Sequence, residues 1–363
     1  MHTCSGVSCA RLQRRNQKRG RLAKEINILG IETSCDETAA AVVADGRNIK
    51  SSIVASQIRL HAEFGGVVPE IASRAHIENI YPVIAEALAR AGVQKGDIDA
   101  VAIANQPGLV VALIVGLTAA KTLAFAWEVP LIAVNHVHAH LQSAMLEEET
   151  LDLPAVALIV SGGHTNLYRC TSPLDLTLIG STVDDAAGEA FDKVATILQL
   201  GYPGGPVIEK TAKSGNPKAI DFPRSMLDRE SLNFSFSGIK TAVLYYCRGQ
   251  DMKGADRVAS MTPQEIADIA ASFQAAVVDV LVKKTKRAAE QTQAKTVLLG
   301  GGVAANTALR NALQEMCDRT GRRLLIAPRP LCTDNAAMVA SLAYHKFLAG
   351  EFADLDLEAK ATS

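Results

Sequence analysis

This chain of 363 residues has few aromatic residues and almost no net charge. Phe, Trp and Tyr make up 4% of it, and 37 Lys and Arg residues stand against 38 Asp and Glu residues. This balance excludes a protein that its overall charge holds on nucleic acid or membrane, so any such partner must be met by a local patch. A hydrophobic content of 48% excludes intrinsic disorder and favours helices layered on hydrophobic strands.

Paired cysteines are also lacking. The seven cysteines are scattered and form no C-x-x-C pair, which argues against a disulfide scaffold or a cysteine zinc site and indicates reduced thiols. Residues 1–25 contain no apolar secretory signal and form a basic tail that we expect to be disordered. The cytoplasm is the expected compartment. Mitochondria are the alternative if the Arg-rich tail is a presequence, and a misassigned start codon is a third explanation of the tail.

One apolar run has the length of a membrane span. Residues 108–127 reach the roughly 20 residues that a bilayer requires. Gly116 and Lys121 lie inside the run, and small residues recur along it as they do in a helix packed closely on a sheet. We therefore predict a buried helix and no membrane partner.

The chain repeats one strand pattern in its two halves. Residues 26–45 and 155–170 each contain an apolar strand, a polar turn and a second apolar run. Alternating strands and helices follow both, which predicts a duplicated α/β domain. At about 150 residues per domain, the length allows two domains. We place them at residues 26–154 and 155–334, with a helix at about residues 335–350 as a candidate addition to the first.

Three histidines lie within five residues in N-H-V-H-A-H. His136 and His140 are four apart, so on a helix they share one face and could hold a metal ion, whereas His138 points elsewhere. Spacing alone leaves a metal site and ordinary histidines equally open. The zinc-protease pattern H-E-x-x-H needs a Glu as general base where this chain has Val137.

Two glycine-rich turns follow apolar strands. Gly300, Gly301 and Gly302 end a strand and open a helix, where bare backbone can approach a phosphate or a nucleoside. A dinucleotide-binding fold would need an acid about 20 residues further on, and none stands there. The turn S-G-G-H-T at residues 161–165 could cradle phosphate oxygens, although an ordinary β-turn is the simpler interpretation.

Acidic residues and further glycines occupy other turns. Asp36 and Glu37 lie in the first hairpin turn and could hold a metal ion or a water, although turn acids are common. Asp192 belongs to an acidic cluster at residues 184–192, for which a solvated helix start is the simpler interpretation. Gly205 stands in Y-P-G-G-P, a sequence typical of a turn.

Eight motifs taken together resemble those of one family. They are I-E-T-S-C-D-E-T at 31–38, F-G-G-V-V-P-E-I-A-S-R at 64–74, N-H-V-H-A-H at 135–140, V-S-G-G-H-T at 160–165, D-D-A-A-G-E-A-F-D-K at 184–193, F-S-F-S-G-I-K at 234–240, G-G-G-V-A-A-N at 300–306 and C-T-D-N-A-A-M at 332–338. Over about residues 27–350 the chain resembles the TsaD family of tRNA N6-adenosine threonylcarbamoyltransferases, formerly called glycoproteases.

The resemblance implies a fold, a reaction and partners. The fold is a pair of actin-like domains, of the sugar-kinase and ribonuclease-H type, with the active site in the cleft between them. The reaction moves a threonylcarbamoyl group from threonylcarbamoyl-adenylate to N6 of the adenosine at position 37 of tRNAs that read codons beginning with A, and releases AMP. The implied partners are tRNA and small proteins of the TsaB and TsaE kind.

The resemblance also implies site residues. His136, His140 and Asp334 would bind one divalent metal ion, and two histidines with a carboxylate favour iron(II), with zinc as the alternative. Asp36 and Glu37 would have a supporting role, such as orienting a water or the metal. The adenylate would bind to Ile159, Val160, Ser161, Gly162, Gly163, Asp192, Gly205 and Asn306. His138 departs from the family pattern, and its role is left open.

Other functions remain open to the sequence. A metalloprotease, a small-molecule kinase of the same architecture and a non-catalytic scaffold are the three alternatives. A local basic patch is a candidate tRNA contact, although a solvated helix face explains it more simply. Its members are Lys283, Lys284, Lys286 and Arg287.

Overall fold

The computed structural model describes residues 25–146, 150–225, 230–249 and 257–362, so the basic tail at residues 1–24 lies outside the described residues. The strands in this part of the chain are β1 (Asn27–Glu32), β2 (Glu37–Ala44), β3 (Asn48–Ser56), β4 (Ala100–Gln106), β5 (Leu131–Asn135), β6 (Ala155–Val160), β7 (Thr165–Cys170), β8 (Leu176–Ser181), β9 (Thr296–Gly300) and β10 (Arg323–Ile326). The α-helices are α1 (Ile58–Ala62), α2 (Pro69–Ala91), α3 (Val110–Trp127), α4 (His136–Ser143), α5 (Ala187–Ile197), α6 (Gly204–Ala212), α7 (Ser237–Arg248), α8 (Pro263–Gln291), α9 (Thr307–Thr320) and α10 (Ala336–Ala349).

The strands form two sheets of one design. Their orders are β3-β2-β1-β4-β5 and β10-β9-β6-β7-β8. In each sheet an antiparallel hairpin, β1–β2 or β6–β7, is extended by one more antiparallel strand on one side and by two parallel strands on the other. This confirms the predicted duplication of an α/β unit. The predicted boundaries of the two domains stay a prediction.

Helices cover both faces of the first sheet. β1 is buried along its whole length, and its side chains alternate between two apolar clusters. Ile28 packs with α10 on one face, whereas Leu29 and Ile31 pack with α2 and α3 on the other. Gly30 faces α10 so closely that a Cβ atom would lie 2.3 Å from the carbonyl oxygen of Ala336. The C-terminal helix therefore packs directly on the first sheet.

Helix α3 is only partly the buried helix that the sequence predicts. Its length and composition would allow it to cross a membrane, and 33% of its most apolar 18-residue window is buried. Gly116 lets one face approach the first sheet, because a Cβ atom there would meet Thr33 Oγ1 at 2.4 Å. On the other face, Val111, Ile114 and Phe125 are 47%, 49% and 74% exposed. The prediction of a buried helix is wrong for that face.

Helix α8 corrects the predicted basic patch. Lys284 is fully buried, and its ammonium group donates a hydrogen bond to the carbonyl oxygen of Ser231 at 2.7 Å. Lys283 and Lys286 are exposed, and each approaches an acid one turn further along or back. An amphipathic helix buries one stripe of its surface, and Lys284 lies in that stripe. The four basic residues therefore do not form one continuous exposed patch.

A candidate metal centre between two glycine turns

The N-H-V-H-A-H motif forms the end of β5 and the start of α4. Asn135 caps this helix, because its Oδ1 accepts hydrogen bonds from the backbone N–H groups of Val137 (2.9 Å) and His138 (3.1 Å). His136 and His140 are both buried on one face of the helix, with ring centroids 4.7 Å apart. The cap therefore fixes the helical turn that brings the two rings together.

His138 points to a different side of α4. Its ring packs edge-on against Tyr168, with centroids 5.4 Å apart. Burial, and after it the positive charge of Lys346, lowers the pKa of His138. This residue does not belong to the cluster formed by His136 and His140.

Asp334 reaches the two histidines from the turn between β10 and α10. Asn335 caps α10 by accepting a hydrogen bond from the backbone N–H of Met338 at 3.0 Å, which fixes the turn. Asp334 Oδ1 lies 3.1 Å from His140 Nε2 and 3.6 Å from His136 Nε2. One ligand atom from each of the three residues lies within 4.8 Å of the others. The three side chains can therefore hold one metal ion.

The chemistry of these donors fits a metal. Apart from the approach to Asp334, neither buried ring nitrogen of His140 has a hydrogen-bond partner among the described residues. An unpaired buried imidazole is costly unless a ligand satisfies it. Burial alone would raise the pKa of Asp334, but the charge of His136, followed by the interaction with His140, keeps it below its ordinary value. The carboxylate is therefore ionised, as metal binding requires.

A buried carboxylate that the sequence analysis missed orients His136. Glu32, the last residue of β1, is fully buried, and its Oε2 lies 3.0 Å from His136 Nδ1. Its Oε1 accepts a hydrogen bond from the N–H of Ser34 at 2.6 Å. Burial alone would lower the pKa of His136, but the charges of Glu32 and then Asp334 raise it to about 9. Because Nδ1–H donates to Glu32, Nε2 is left to face Asp334 and a metal.

Asp36 lies in the hairpin turn after β1, and Glu37 is the first residue of β2. Among the described residues, no hydrogen bond joins either of them to the three candidate ligands. Glu37 accepts a hydrogen bond from Ser56 Oγ at 3.1 Å. Burial, followed by the charges of Asp334 and Asp36, raises the pKa of Glu37 to about 10. A protonated Glu37 can donate a hydrogen bond, but it cannot accept a proton as a general base at neutral pH.

The turn of three glycines approaches both α4 and the end of β6. A Cβ atom on Gly300 would lie 2.5 Å from the carbonyl oxygen of His140, and one on Gly301 would lie 2.4 Å from that of Val160. Gly301 also has a φ of +90°, a backbone conformation that residues other than glycine rarely adopt. Only glycine allows these two close contacts. They bring helix α4, which carries His136 and His140, next to the second hairpin.

Of residues 159–163, which are predicted to bind the adenylate, some are buried in the core and others are exposed at the surface. The side chains of Ile159 and Val160 are fully buried in the second core, so only their backbone can face a ligand. Gly162 and Gly163 are exposed, and nothing lies within 4 Å of where their Cβ atoms would stand. The turn therefore presents open glycine backbone.

His164 completes this turn and was left without a role by the sequence analysis. Its N–H donates to Ser161 Oγ at 3.2 Å, and the N–H of Ser161 donates to its carbonyl oxygen at 2.8 Å. Burial, followed by the positive charges of His136 and His140, lowers the pKa of His164 to about 4. His164 is therefore neutral at physiological pH and lies within the field of the candidate metal ligands.

The other predicted adenylate residues support nearby turns. Asp192 Oδ1 accepts a hydrogen bond from the N–H of Gly204 at 2.7 Å, which holds the Y-P-G-G-P turn against α5. Gly205 has open space beside it. Asn306 caps α9 and donates to Gln274 Oε1 at 2.8 Å. The side chain of Asn306 is thus engaged within the protein.

The acids of the cluster at residues 184–192 bind other parts of the chain, although Asp184 is exposed to solvent as the sequence favours. Asp184 accepts hydrogen bonds from both serine hydroxyls of the F-S-F-S motif, each at 2.6 Å. Asp185 pairs with Lys193 at 2.8 Å and with Lys240 at 3.0 Å. The acids therefore join two sequence motifs to each other.

His76 ties α2 to the first hairpin turn. Its Nε2 lies 3.0 Å from the carbonyl oxygen of Cys35, so it donates there, and its Nδ1 accepts from the hydroxyl of Thr38 at 2.8 Å. The residue is fully buried, and this burial lowers its pKa. Protonating Nδ1 would put two donors in contact and break the link.

We expect this buried histidine to make the protein less stable in mild acid. The pKa of His76 is lower in the folded protein than in the unfolded chain, so the unfolded chain takes up the proton first as pH falls through about 6.5. The free energy of unfolding, measured with urea between about pH 7 and about pH 5, should therefore fall. The free energy of unfolding should depend less on pH in a His76→Gln variant. The same dependence as in the wild type would show that His76 is not the group responsible.

Comparisons with known proteins agree with the motifs. The family profile described as tRNA N6-adenosine threonylcarbamoyltransferase (TsaD) matches residues 48–341. A protein of that name from Moorella thermoacetica is 54% identical over 340 residues, which cover 93% of this chain and 97% of the relative. One from Symbiobacterium thermophilum is 53% identical over 332 residues, which cover 92% and 95%.

Solved structures share the fold at low identity. Full-length HypF in its phosphate- and nucleotide-bound form is 16% identical with a TM-score of 0.58, over 92% of this chain and 48% of HypF. The activator of 2-hydroxyisocaproyl-CoA dehydratase from Clostridium difficile is 13% identical with a TM-score of 0.52, over 91% and 99%. These likenesses confirm the predicted actin-like α/β fold. Because the profile and the relatives cover most of its length, this chain belongs to the tRNA N6-adenosine threonylcarbamoyltransferase family.

Proposed function

We propose that this protein transfers the threonylcarbamoyl group from threonylcarbamoyl-adenylate to N6 of the adenosine at position 37 of tRNAs that read codons beginning with A. Besides family membership, one observation supports the proposal. The group of His136, His140 and Asp334 lies beside the turn of three glycines, which also contacts the end of β6. One substrate could therefore reach both the candidate metal ligands and the open turn of Gly162 and Gly163 that follows β6.

The residues suit each part of this reaction. The adenosine N6 attacks the carbamoyl carbonyl, the new C–N bond forms and N6 loses a proton, while the C–O bond to the phosphate breaks and AMP leaves with its electron pair. We propose that the N–H groups of Gly162 and Gly163 hold the phosphate, with Asp192, Gly205 and Asn306 framing the rest of the adenylate. A bound divalent metal, for which we propose iron(II) with zinc as the alternative, would supply a Lewis acid for the developing charge.

A reconstituted reaction tests this function. The purified protein is combined with threonylcarbamoyl-adenylate, unmodified tRNA and candidate TsaB-like and TsaE-like partners, and the digested tRNA is assayed by mass spectrometry. We expect threonylcarbamoyladenosine and AMP in equal amounts. Phosphate transfer from ATP to a small molecule would favour the kinase instead. Cleavage of a protein substrate would favour the protease, for which Val137 leaves no general base.

We also propose that α2 and α3 contact one of the small partner proteins, of the TsaB kind. The two helices are neighbours, since Ser73 Oγ on α2 donates to the carbonyl oxygen of Val111 on α3 at 3.0 Å. Ile77 and Tyr81 on α2 are 63% and 79% exposed, and Ile114 lies exposed on α3. Large apolar side chains exposed together on two neighbouring helices are typical of a protein interface.

Placing a charge on this surface is expected to prevent assembly. An Ile114→Glu variant would bury an unpaired carboxylate in the interface, so its affinity for the TsaB-like partner should fall by at least about tenfold. Affinity is measured by titration with the purified partner. Leu178→Glu, on the exposed side of β8, is the matched control. Equal binding by both variants would remove α3 from the interface.

A further inference from the structure

A cavity of about 390 Å³ lies beside α4, away from the candidate metal ligands. His138 lines it, and this residue lies two positions from each metal histidine on the helix, about 200° around the axis. The other walls come from the end of β4, from β5, from α10, from Pro173, Leu174 and Leu176, and from the chain that follows α10. The cavity is therefore separate from the proposed transfer site.

The chain after α10 is tied down where it closes the cavity. The N–H of Ala353 donates to the carbonyl oxygen of Leu131 at 2.8 Å. Asn105 Nδ2 donates to the carbonyl oxygen of Glu358 at 3.0 Å, and the carbonyl oxygen of Asn105 accepts from the N–H of Lys360 at 2.9 Å. These bonds hold the segment as a wall along the edge of the first sheet.

The walls combine apolar surface with positive charge. Four leucines line the cavity, namely Leu174, Leu176, Leu342 and Leu357. Lys346, Lys360 and Glu351 are the lining residues that carry a formal charge, so two positive charges face one negative charge and the balance is +1. Lys346 Nζ pairs with Glu351 Oε2 at 2.8 Å, and no ion pair reaches Lys360 among the described residues. One positive charge is therefore left for a ligand.

The ring of His138 adds a polar group to the cavity wall. It is half-buried at the cavity wall, and within the described part of the chain neither ring nitrogen makes a hydrogen bond. A neutral imidazole offers one donor and one acceptor, and its N–H can donate to one oxygen of a carboxylate while a lysine of the same cavity neutralises the charge. The lining thus combines the leucine side chains with polar groups, which besides His138 belong to Asn105, Gln106 and Asn135.

We propose that this cavity binds a small organic anion, with an apolar body against the leucines and a carboxylate held by Lys360 and His138. Its volume falls within the roughly 300–1,000 Å³ of small-molecule sites. An anion bound there would contact α4, the helix that carries His136 and His140. This second site goes beyond the proposed transfer reaction and does not depend on it.

Fluorine NMR of the full-length protein tests the proposal with para-fluorobenzoate as the probe. We expect para-fluorobenzoate to bind at least several-fold more tightly than its neutral analogue para-fluorobenzamide. Ala133→Leu, which fills the cavity from β5, and Lys360→Gln, an exposed change that leaves the core intact, should each weaken binding several-fold. Lys286→Gln, on the exposed side of α8, should bind as the wild type does.

Several results would overturn the site. One is equal binding of the acid and the amide, which would remove the requirement for charge. Another is wild-type affinity in both Ala133→Leu and Lys360→Gln, which would place the probe elsewhere, such as on the apolar surface of α2 and α3. No binding of para-fluorobenzoate by the folded wild-type protein would also refute it.

Discussion

Replacing His140 with alanine is expected to abolish metal binding and tRNA modification together. The residue is fully buried, its Nε2 is 3.1 Å from Asp334 Oδ1, and it has no other hydrogen-bond partner among the described residues. Loss of one of three protein ligands should lower metal affinity by more than the roughly 10–100-fold that follows loss of an outer-shell partner. Threonylcarbamoyladenosine is measured in tRNA from cells that are depleted of their own enzyme, and the metal in purified protein by elemental analysis.

His138→Ala is the matched control for that variant. It removes an imidazole from the same helix but from a side that does not face Asp334, where the ring contacts Tyr168. We expect it to retain its metal and to restore modification. If His140→Ala restored modification as well as the wild type, His140 would have no part in the mechanism, whereas equal loss in both variants would indicate damage to α4 itself.

The two hairpins could be predicted from sequence because each combines a continuous apolar strand with a polar turn. Such strands are buried on both faces, so their composition alone marks them. Strand β3 was not identified, since exposed and half-buried residues alternate along it and only Ser51 is buried. The sequence Y-P-G-G-P predicts a turn, but helix α6 begins at its glycines. Its first turn has no helix-forming residue to mark it.

The metal group could be predicted only in part. The spacing of His136 and His140 follows from the period of one helix, but Asp334 is nearly 200 residues away and came only from the family resemblance. The sequence predicts a surface position for Lys284 because a lysine is rarely buried, and the oxygen that binds its ammonium group belongs to Ser231, which is 53 residues away. Glu32 was overlooked for a similar reason, since its partner His136 is 104 residues away.

Glu32 is the residue for which we expect the second large effect. A Glu32→Gln variant keeps the size of the side chain but loses the charge that accepts the Nδ1 proton of His136. A neutral amide orients the ring less firmly and makes Nε2 a weaker ligand, so metal affinity measured at about pH 9 should fall by about 10–100-fold. Competition with a chromophoric chelator, using cobalt(II) and zinc(II), measures this affinity. Glu70→Gln, at the exposed start of α2, is the control that should leave it unchanged.

The pH dependence of the affinity separates this role from a general loss of structure. In the metal-free protein burial would lower the pKa of His136, but the charges of Glu32 and then Asp334 raise it to about 9, so below that pH a proton competes with the metal for the ring. Wild-type affinity should therefore increase with pH and level off near pH 9. The variant loses that charge, so its His136 has a lower pKa and its affinity should level off at a lower pH. The loss of metal affinity in the variant, relative to the wild type, is then larger at pH 9 than at neutral pH. An equal deficit at both would mean that Glu32 supports the fold and not the ring of His136.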